Sequence, residues 1–378
     1  MSASFCRLCG AEIGQPDWTL EGMPKSAQNF TGIDSLRGDN GLNLNIVQCR
    51  DCGLVQLLND PVDYFKEVIR ATGFSTEMAS YRRSQFGDFV ESHTLDGKAG
   101  IEIGCGKGEY LSLLADSGLS MTGLEYSPDS VKACLGLGLN AQVGFLDEVG
   151  QIPILGTYSA CFMFNFLEHL PQPVDTLRAI AALLNQDGVG LIEVPNFEMI
   201  EQEQMFTEFC IDHLSYFTED TFRQILSRSG FEVLEITPLW NNYILSAQVR
   251  KRAQFSAKRF QNARQRLSES MNEYLGHFSK RSVVAWGAGH QALAVMAACD
   301  LSDKIAYVVD SATFKQNKLT PATKIPIFSP EQLFIDPPEA ILVMAGSYSD
   351  EIVSEIRHKH HNRFSLAVLR GQEVDLNP

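Results

Sequence analysis

The chain has 378 residues and a formal net charge of −15, more length than one ordinary core uses, so two or three domains are expected. The acidic balance excludes a large polyanionic partner such as DNA or RNA, whose binding rests on Lys and Arg against phosphates; a local pocket for one small phosphate ligand stays compatible with it. With 44% hydrophobic and 20% charged residues the composition is that of a soluble globular protein, and no run approaches the roughly 18–20 apolar residues that span a bilayer, so a cytoplasmic protein without a membrane partner is predicted.

The first chemical signal in chain order is a pair of Cys-x-x-Cys turns, Cys6-Arg7-Leu8-Cys9 and Cys49-Arg50-Asp51-Cys52, each followed directly by glycine, Gly10 and Gly53. Two such turns supply the four thiolates of a closed tetrahedral zinc site, which leaves no position for substrate and is therefore structural. The other five cysteines, Cys105, Cys134, Cys161, Cys210 and Cys299, are scattered among apolar neighbours, a pattern of buried thiols in a reducing compartment rather than a disulfide framework. A small metal-nucleated module over residues 1–60 is expected. Helical spacing then runs from Met78 to Phe89 and ends at the turn signal Asp96-Gly97.

From Ala99 short apolar runs alternate with helical patterns. Strands are predicted at Gly100–Ile103, Met121–Leu124, Ala160–Phe164 and Val189–Val194, and helices at Gly108–Asp116, Pro128–Leu135 and Val174–Leu184. Such alternation predicts βαβ units on a parallel sheet. Gly104, Gly106 and Gly108 follow the first strand and open a helix, the context in which a glycine-rich loop lets backbone N–H groups approach a nucleotide. Glu125 ends the second strand, 21 positions after Gly104, where a carboxylate meets ribose hydroxyls. That much suits NAD or S-adenosylmethionine. Glu102, two residues before the first glycine, favours S-adenosylmethionine, whose cationic methionine end gains from a carboxylate. Asn165, closing the next strand, is expected at the junction of cofactor and acceptor.

The segment Glu208-Phe209-Cys210-Ile211-Asp212-His213-Leu214-Ser215-Tyr216-Phe217 follows the last of these strands, with an amphipathic helix over Thr218–Ser229 behind it. His213 is a candidate general base and Asp212 its supporting carboxylate; a hydrogen-bonded structural histidine is the competing reading. His169, in Glu168-His169-Leu170-Pro171, is read as structural. Tyr64, Tyr81 and Tyr216 are read as core residues or as pocket walls. A basic stretch from Arg250 to Leu275 reads as an exposed connecting helix. Beyond it the βα alternation resumes with Val283–Trp286, a glycine loop Gly287-Ala288-Gly289, Ile305–Val309 ending in Asp310, and Ile341–Met344. Contact with a substrate nucleotide or phosphate, a second cofactor, and plain packing are all open for that loop.

The order of these parts resembles the sugar C-methyltransferase family, through the two Cys-x-x-Cys-Gly elements and through Trp286-Gly287-Ala288-Gly289-His290-Gln291, Tyr307-Val308-Val309-Asp310-Ser311 and Ile325-Pro326-Ile327-Phe328-Ser329-Pro330. The resemblance implies an α/β fold in three parts: a zinc-binding module (1–60), a class I methyltransferase Rossmann-like domain (96–249) reached through a helical connector (61–95), and a smaller C-terminal Rossmann-like domain (279–378) reached through a linking helix (250–278). It implies S-adenosylmethionine and structural Zn2+ as cofactors, with Cys6, Cys9, Cys49 and Cys52 as ligands. The acceptor it implies is a small molecule, a nucleotide-activated keto sugar or related carbonyl metabolite, methylated at carbon with His213 as base. Cys210 stands where that family carries tyrosine, and Ile69–Phe74 lacks the tyrosines expected there. O-methylation of a sugar or small metabolite, and a non-catalytic S-adenosylmethionine-binding scaffold, are the alternatives. The sequence is silent on oligomeric state.

Overall fold

A computed structural model describes residues 4–27, 40–67, 75–146, 157–376 and 378; Ile69–Phe74 falls outside them. The described chain forms two compact units, Met1–Ala253 and Gln254–Pro378. The expected βα alternation builds the main sheet of the first. Its strands lie in the order Phe231–Leu239, Ile244–Lys251, Leu184–Pro195, Tyr158–Phe164, Ala99–Ile103, Ser120–Glu125, Ala141–Val143. Ile244–Lys251 runs antiparallel to both its neighbours, and the pairs from Leu184–Pro195 to Ala141–Val143 are parallel. Adjacent parallel strands Ala99–Ile103 and Tyr158–Phe164 send their chains to opposite sides, so the carboxyl ends of these two strands border the ligand crevice of an open α/β sheet.

Three helices of this unit start on a side-chain cap. Ser75 accepts from Met78 N ahead of the helix Thr76–Ser92. Ser127 caps Pro128–Gly136, whose proline sits in the first turn. Thr218 and Thr221 form a reciprocal capping box for Glu219–Arg228.

The N-terminal segment is more tightly integrated than its composition suggests. Trp18–Met23, Leu42–Gln48 and Val55–Leu57 form an antiparallel sheet completed by Ser215–Tyr216 from far along the chain. Leu44, Ile46 and Leu57 share a core with Phe197, Phe209, Ile211 and Tyr216. The cysteine turns pack with Ile101, Leu124 and Phe217 of the methyltransferase-like part.

In the second unit the sheet order is Lys318–Leu319, Pro326–Phe328, Ile305–Val309, Val283–Trp286, Ala340–Val343, Ser365–Arg370, Glu373–Asp375. Its switch point lies between Val283–Trp286 and Ala340–Val343, which pair in parallel. The basic stretch differs from the continuous connecting helix read in the sequence: Arg250 and Lys251 end a strand, and the helix starts at Ala257. That helix is not wholly exposed. Leu267, Met271, Tyr274 and Leu275 recur at helical spacing and are buried in the C-terminal core.

A buried ion pair fixes the helix Thr76–Ser92 to the main sheet. Arg82 donates to both Glu193 carboxylate oxygens, at 2.7 and 2.6 Å, while Gln85 and Ser246 donate to Glu193 Oε1 at 3.0 and 2.9 Å. The two side chains are 2% and 0% exposed, and the guanidinium lies over the rings of Tyr110 and Phe164. Breaking one side of such a pair strands a buried charge. Arg82→Ala is expected to cost about 3–5 kcal/mol, seen as a lower denaturant midpoint at unchanged slope. Replacing Arg82 and Glu193 together with methionine should cost much less.

Candidate active site

The glycine loop after Ala99–Ile103 is shaped by backbone conformations that favour glycine: φ is +71° at Gly104, +56° at Gly106 and +95° at Gly108. At Gly108 a Cβ would stand 2.7 Å from Leu139 Cδ1 and 3.2 Å from Cys134 Sγ. The Glu125 carboxylate organises the loop, accepting from Gly106 N at 3.0 Å and from Ser127 N at 3.0 Å. Glu102 is fully buried in the preceding strand. Asn165 adopts a left-handed φ of +48° just past the strand Tyr158–Phe164; its N–H donates to Glu193 O at 3.0 Å, and its buried Oδ1 meets no hydrogen-bond donor among the described residues. An acceptor atom left open beside a glycine loop at the switch point fits a nucleotide-type cofactor with groups to donate. The structure thus brings Glu102, Gly104, Gly106, Gly108, Glu125 and Asn165 to the carboxyl ends of three adjacent parallel strands.

The second cluster joins two segments. His169 donates through Nδ1 to Asp212 O at 2.9 Å, and Leu214 N donates to Glu168 O at 2.8 Å. The His169 and His213 rings meet edge to face, with centroids 4.8 Å apart. Burial, with His169 alongside, pushes the His213 imidazole down to about 3, and burial lowers His169 as well. Burial alone raises the Glu168 carboxyl to about 8. Both rings are therefore neutral and hold lone pairs at neutral pH.

Asp212 uses its carboxylate on Ala27 N, at 3.0 Å, so its bonds run to Ala27 and His169, and its link to His213 passes through the His169 ring. The Tyr216 hydroxyl accepts from Cys210 N at 3.1 Å and donates to Cys210 O at 3.3 Å. The Tyr243 hydroxyl donates to Glu208 at 2.5 Å. Tyr81 packs against Trp240, and Tyr64 hydrogen-bonds Ser26. Glu168 and Tyr243 were not singled out by the sequence; their signal is burial and pairing across distant segments, which spacing does not carry.

The four N-terminal cysteines converge. Cys6 Sγ lies 3.5 Å from Cys52 Sγ, and Cys9 Sγ lies 3.6 Å from Cys49 Sγ. A tetrahedral zinc with sulfurs at about 2.3 Å sets them about 3.8 Å apart, so the thiols fit that ion. The two turns are built alike: Gly10 N donates to Cys6 O and Gly53 N to Cys49 O, both at 2.9 Å, with φ of +76° and +83°.

In the C-terminal unit a cavity of about 560 Å³ opens at the switch point, lined by Trp286, Gly287, His290, Asp310, Lys315 and Glu351 among others. Asp310 accepts from Ala288 N at 2.8 Å, Ala312 N at 2.9 Å and Lys315 Nζ at 2.8 Å, the same arrangement that Glu125 makes in the first unit.

An open α/β sheet with a glycine loop and a carboxylate at the end of the next strand is the arrangement of a nucleotide-cofactor enzyme, and the comparisons make that enzyme a methyltransferase. A methyltransferase-domain family matches residues 78–236, and the C-methyltransferase C-terminal domain matches residues 246–368. C-methyltransferase NovU of Streptomyces niveus is 24% identical over 92% of this chain and 91% of its own length. A ubiquinone biosynthesis O-methyltransferase of Marinobacter nauticus is 30% identical over 41% of this chain and 72% of its own, whereas the Bordetella avium protein of that name is matched over 42% of its length. Magnesium protoporphyrin IX methyltransferase from Synechocystis PCC 6803 is similar at a TM-score of 0.38 and 17% identity, over 50% of this chain and 97% of that one, a likeness too slight to argue from. The chain is an S-adenosylmethionine-dependent methyltransferase in which a methyltransferase domain is followed by a C-methyltransferase C-terminal domain, the order of parts that the resemblance read from the sequence implied. Among the described residues no helix is long and apolar enough to cross a membrane.

Gly108→Ala is expected to destabilise the first unit by about 1–3 kcal/mol through overpacking and to weaken S-adenosylmethionine binding by calorimetry. Gly136→Ala, at a helix end with no atom within 4 Å of the added Cβ, should change neither.

Proposed function

We propose that this enzyme methylates carbon, on a nucleotide-activated keto sugar or a related carbonyl metabolite, with His213 as general base. The observation that carries the reading is the half-buried His213 ring, set edge-on against His169 in the segment that follows the last parallel strand. A carbonyl makes the adjacent C–H acidic, and a positioned imidazole lone pair takes that proton. Asp212 acts as a positioning residue, through the hydrogen bond its carbonyl accepts from His169. S-adenosylmethionine supplies the electrophilic methyl group on a sulfonium leaving group. Glu125, with the loop of Gly104, Gly106 and Gly108, holds the ribose side, Glu102 favours the cationic methionine end, and Asn165 Oδ1 accepts from bound ligand. The enzyme's own contribution is alignment of acceptor carbon and methyl donor. The cavity beside Asp310 offers a second nucleotide-sized crevice.

We also assign structural Zn2+ to Cys6, Cys9, Cys49 and Cys52, on their convergence, and a cytoplasmic location, on nine unpaired thiols. One zinc per chain with an all-sulfur shell is expected to survive dialysis against a weak chelator. Cys49→Ser should lose that zinc and lower the Tm.

The test of the reaction is methyl transfer from labelled S-adenosylmethionine to a panel of TDP-, GDP- and UDP-linked 4-keto sugars. Label on a sugar carbon, reduced at least a hundredfold in His213→Ala with cofactor affinity kept, is the expected result. No label on any sugar, despite cofactor binding, sinks the acceptor assignment. The similarity to O-methyltransferases over the methyltransferase part favours a second reading, transfer to a hydroxyl. Solvent deuterium appearing at the acceptor carbon without cofactor supports carbon; its absence, with label on oxygen, supports the second reading.

A further inference from the structure

The cluster behind the proposed base has a donor set that proton transfer alone does not use. Glu168, His169 and His213 each offer one ligand atom, and these atoms all lie within 4.8 Å of one another. A carbonyl oxygen only accepts, so the bond from His169 to Asp212 O fixes Nδ1 as the protonated nitrogen and leaves the lone pair on Nε2. That lone pair faces Glu168 Oε1 across 3.9 Å, too far for a hydrogen bond. The Glu168 side chain is 2% exposed, and its Oε2 has no hydrogen-bond partner among the described residues. An open lone pair on His169, a buried Glu168 oxygen without a partner and a second imidazole beside them are a donor set that a divalent ion draws together by displacing the Glu168 proton.

We infer that Glu168, His169 and His213 form a second metal site, which takes a zinc-class divalent ion and, while filled, withholds from His213 the lone pair that proton abstraction needs. Two imidazoles and one carboxylate are the three-ligand set of open zinc-type sites. The Nδ1–H of His169 held by a backbone carbonyl is the outer support such histidines carry. Ligands about 2.0–2.1 Å from a tetrahedral ion stand about 3.3 Å apart, so His169 and Glu168, at 3.9 Å, have to close by about half an ångström, and His213, within 4.8 Å of them, by up to about 1.5 Å. The two segments are already pinned together by Leu214 N on Glu168 O. The set differs in kind from the four thiols, so the two sites are distinguishable in one protein. The inhibitory half rests on His213 being the base; the binding half does not.

The full chain, stripped of metal under reducing conditions, is titrated with Co2+. The expected result is two ions per chain: one with intense thiolate-to-cobalt charge-transfer bands and one with weak d–d bands only. Glu168→Gln and His169→Ala should each lose the second ion and keep the thiolate bands, which also report that the variant is folded. A wild-type chain that takes one ion, with thiolate bands alone, overturns the proposal. Retention of the second ion in both variants overturns it too, by placing that ion elsewhere. With an accepted substrate, Zn2+ beyond one equivalent should lower turnover at least tenfold, reversibly by chelator. Turnover unchanged with two ions bound overturns the inhibitory half, and the metal count needs no acceptor, so a wrong acceptor leaves it intact.

Discussion

The first unit is organised around carboxylates buried in or at the ends of parallel strands, each of which needs donors once water is gone. Glu193 is the most demanding. Its oxygens are met by Arg82, Gln85 and Ser246, which come from the helix Thr76–Ser92 and the strand Ile244–Lys251. A buried pair of this kind contributes little net stability, because desolvation offsets attraction. What it does is leave one arrangement in which no charge is stranded. That arrangement brings the Arg82 guanidinium over Tyr110, in the helix that the glycine loop opens, and holds Asn165 through the Glu193 carbonyl. Structure and cofactor crevice therefore share one constraint.

The same logic appears at Glu125 and again at Asp310. Each carboxylate bridges an N–H of its glycine loop and the N–H two residues further along its own chain. A carboxylate so engaged stiffens the loop before any ligand arrives, which lowers the ordering cost of binding. Asp310 has in addition the Lys315 ammonium, and these partners hold its carboxyl below the usual carboxylate range despite burial. Two glycine loops read separately in the sequence are thus one device used twice.

The parallel strands, their helices, the cysteine turns and the cofactor loop were legible because each rests on local periodicity or short spacing. Glu125 could be placed because strand length and loop length fix where a strand ends. The antiparallel sheet of the N-terminal segment was not, since Val55–Leu57 finds its partner Ser215–Tyr216 some 160 positions away and no local pattern records that. Arg250 and Lys251 read as helix because charge alone does not distinguish an exposed strand end from an exposed helix start. His169 read as structural, and Glu168 drew no notice, because their contacts with His213 and Leu214 depend on the chain returning through Asp212. The Asp212 carboxylate, adjacent in sequence to His213, turns instead to Ala27. Asp212 lies in the turn that His213 N closes on Cys210 O, and adjacency in such a turn does not make two side chains a catalytic pair.

The pairing of Val55–Leu57 with Ser215–Tyr216 also explains why a four-cysteine module belongs in such an enzyme. Leu57 N donates to Leu214 O at 3.0 Å, the residue directly after His213. Gln56 sits opposite Ser215 in the ladder and accepts from Arg7 N at 2.9 Å within the first cysteine turn; the Arg7 guanidinium reaches Leu57 O and Asn59 O. The second turn leads directly into the strand through Leu54, whose carbonyl accepts from Cys49 N at 2.9 Å. Through these bonds the cysteine turns fix the strand that pairs with the segment carrying His213. The proposed base has to be held to a fraction of an ångström to be effective. Its segment is held on one side by Phe197 and Ile200 and on the other by Leu44, Ile46 and Leu57, so the cysteine module supplies half of that rigidity from outside the methyltransferase sheet.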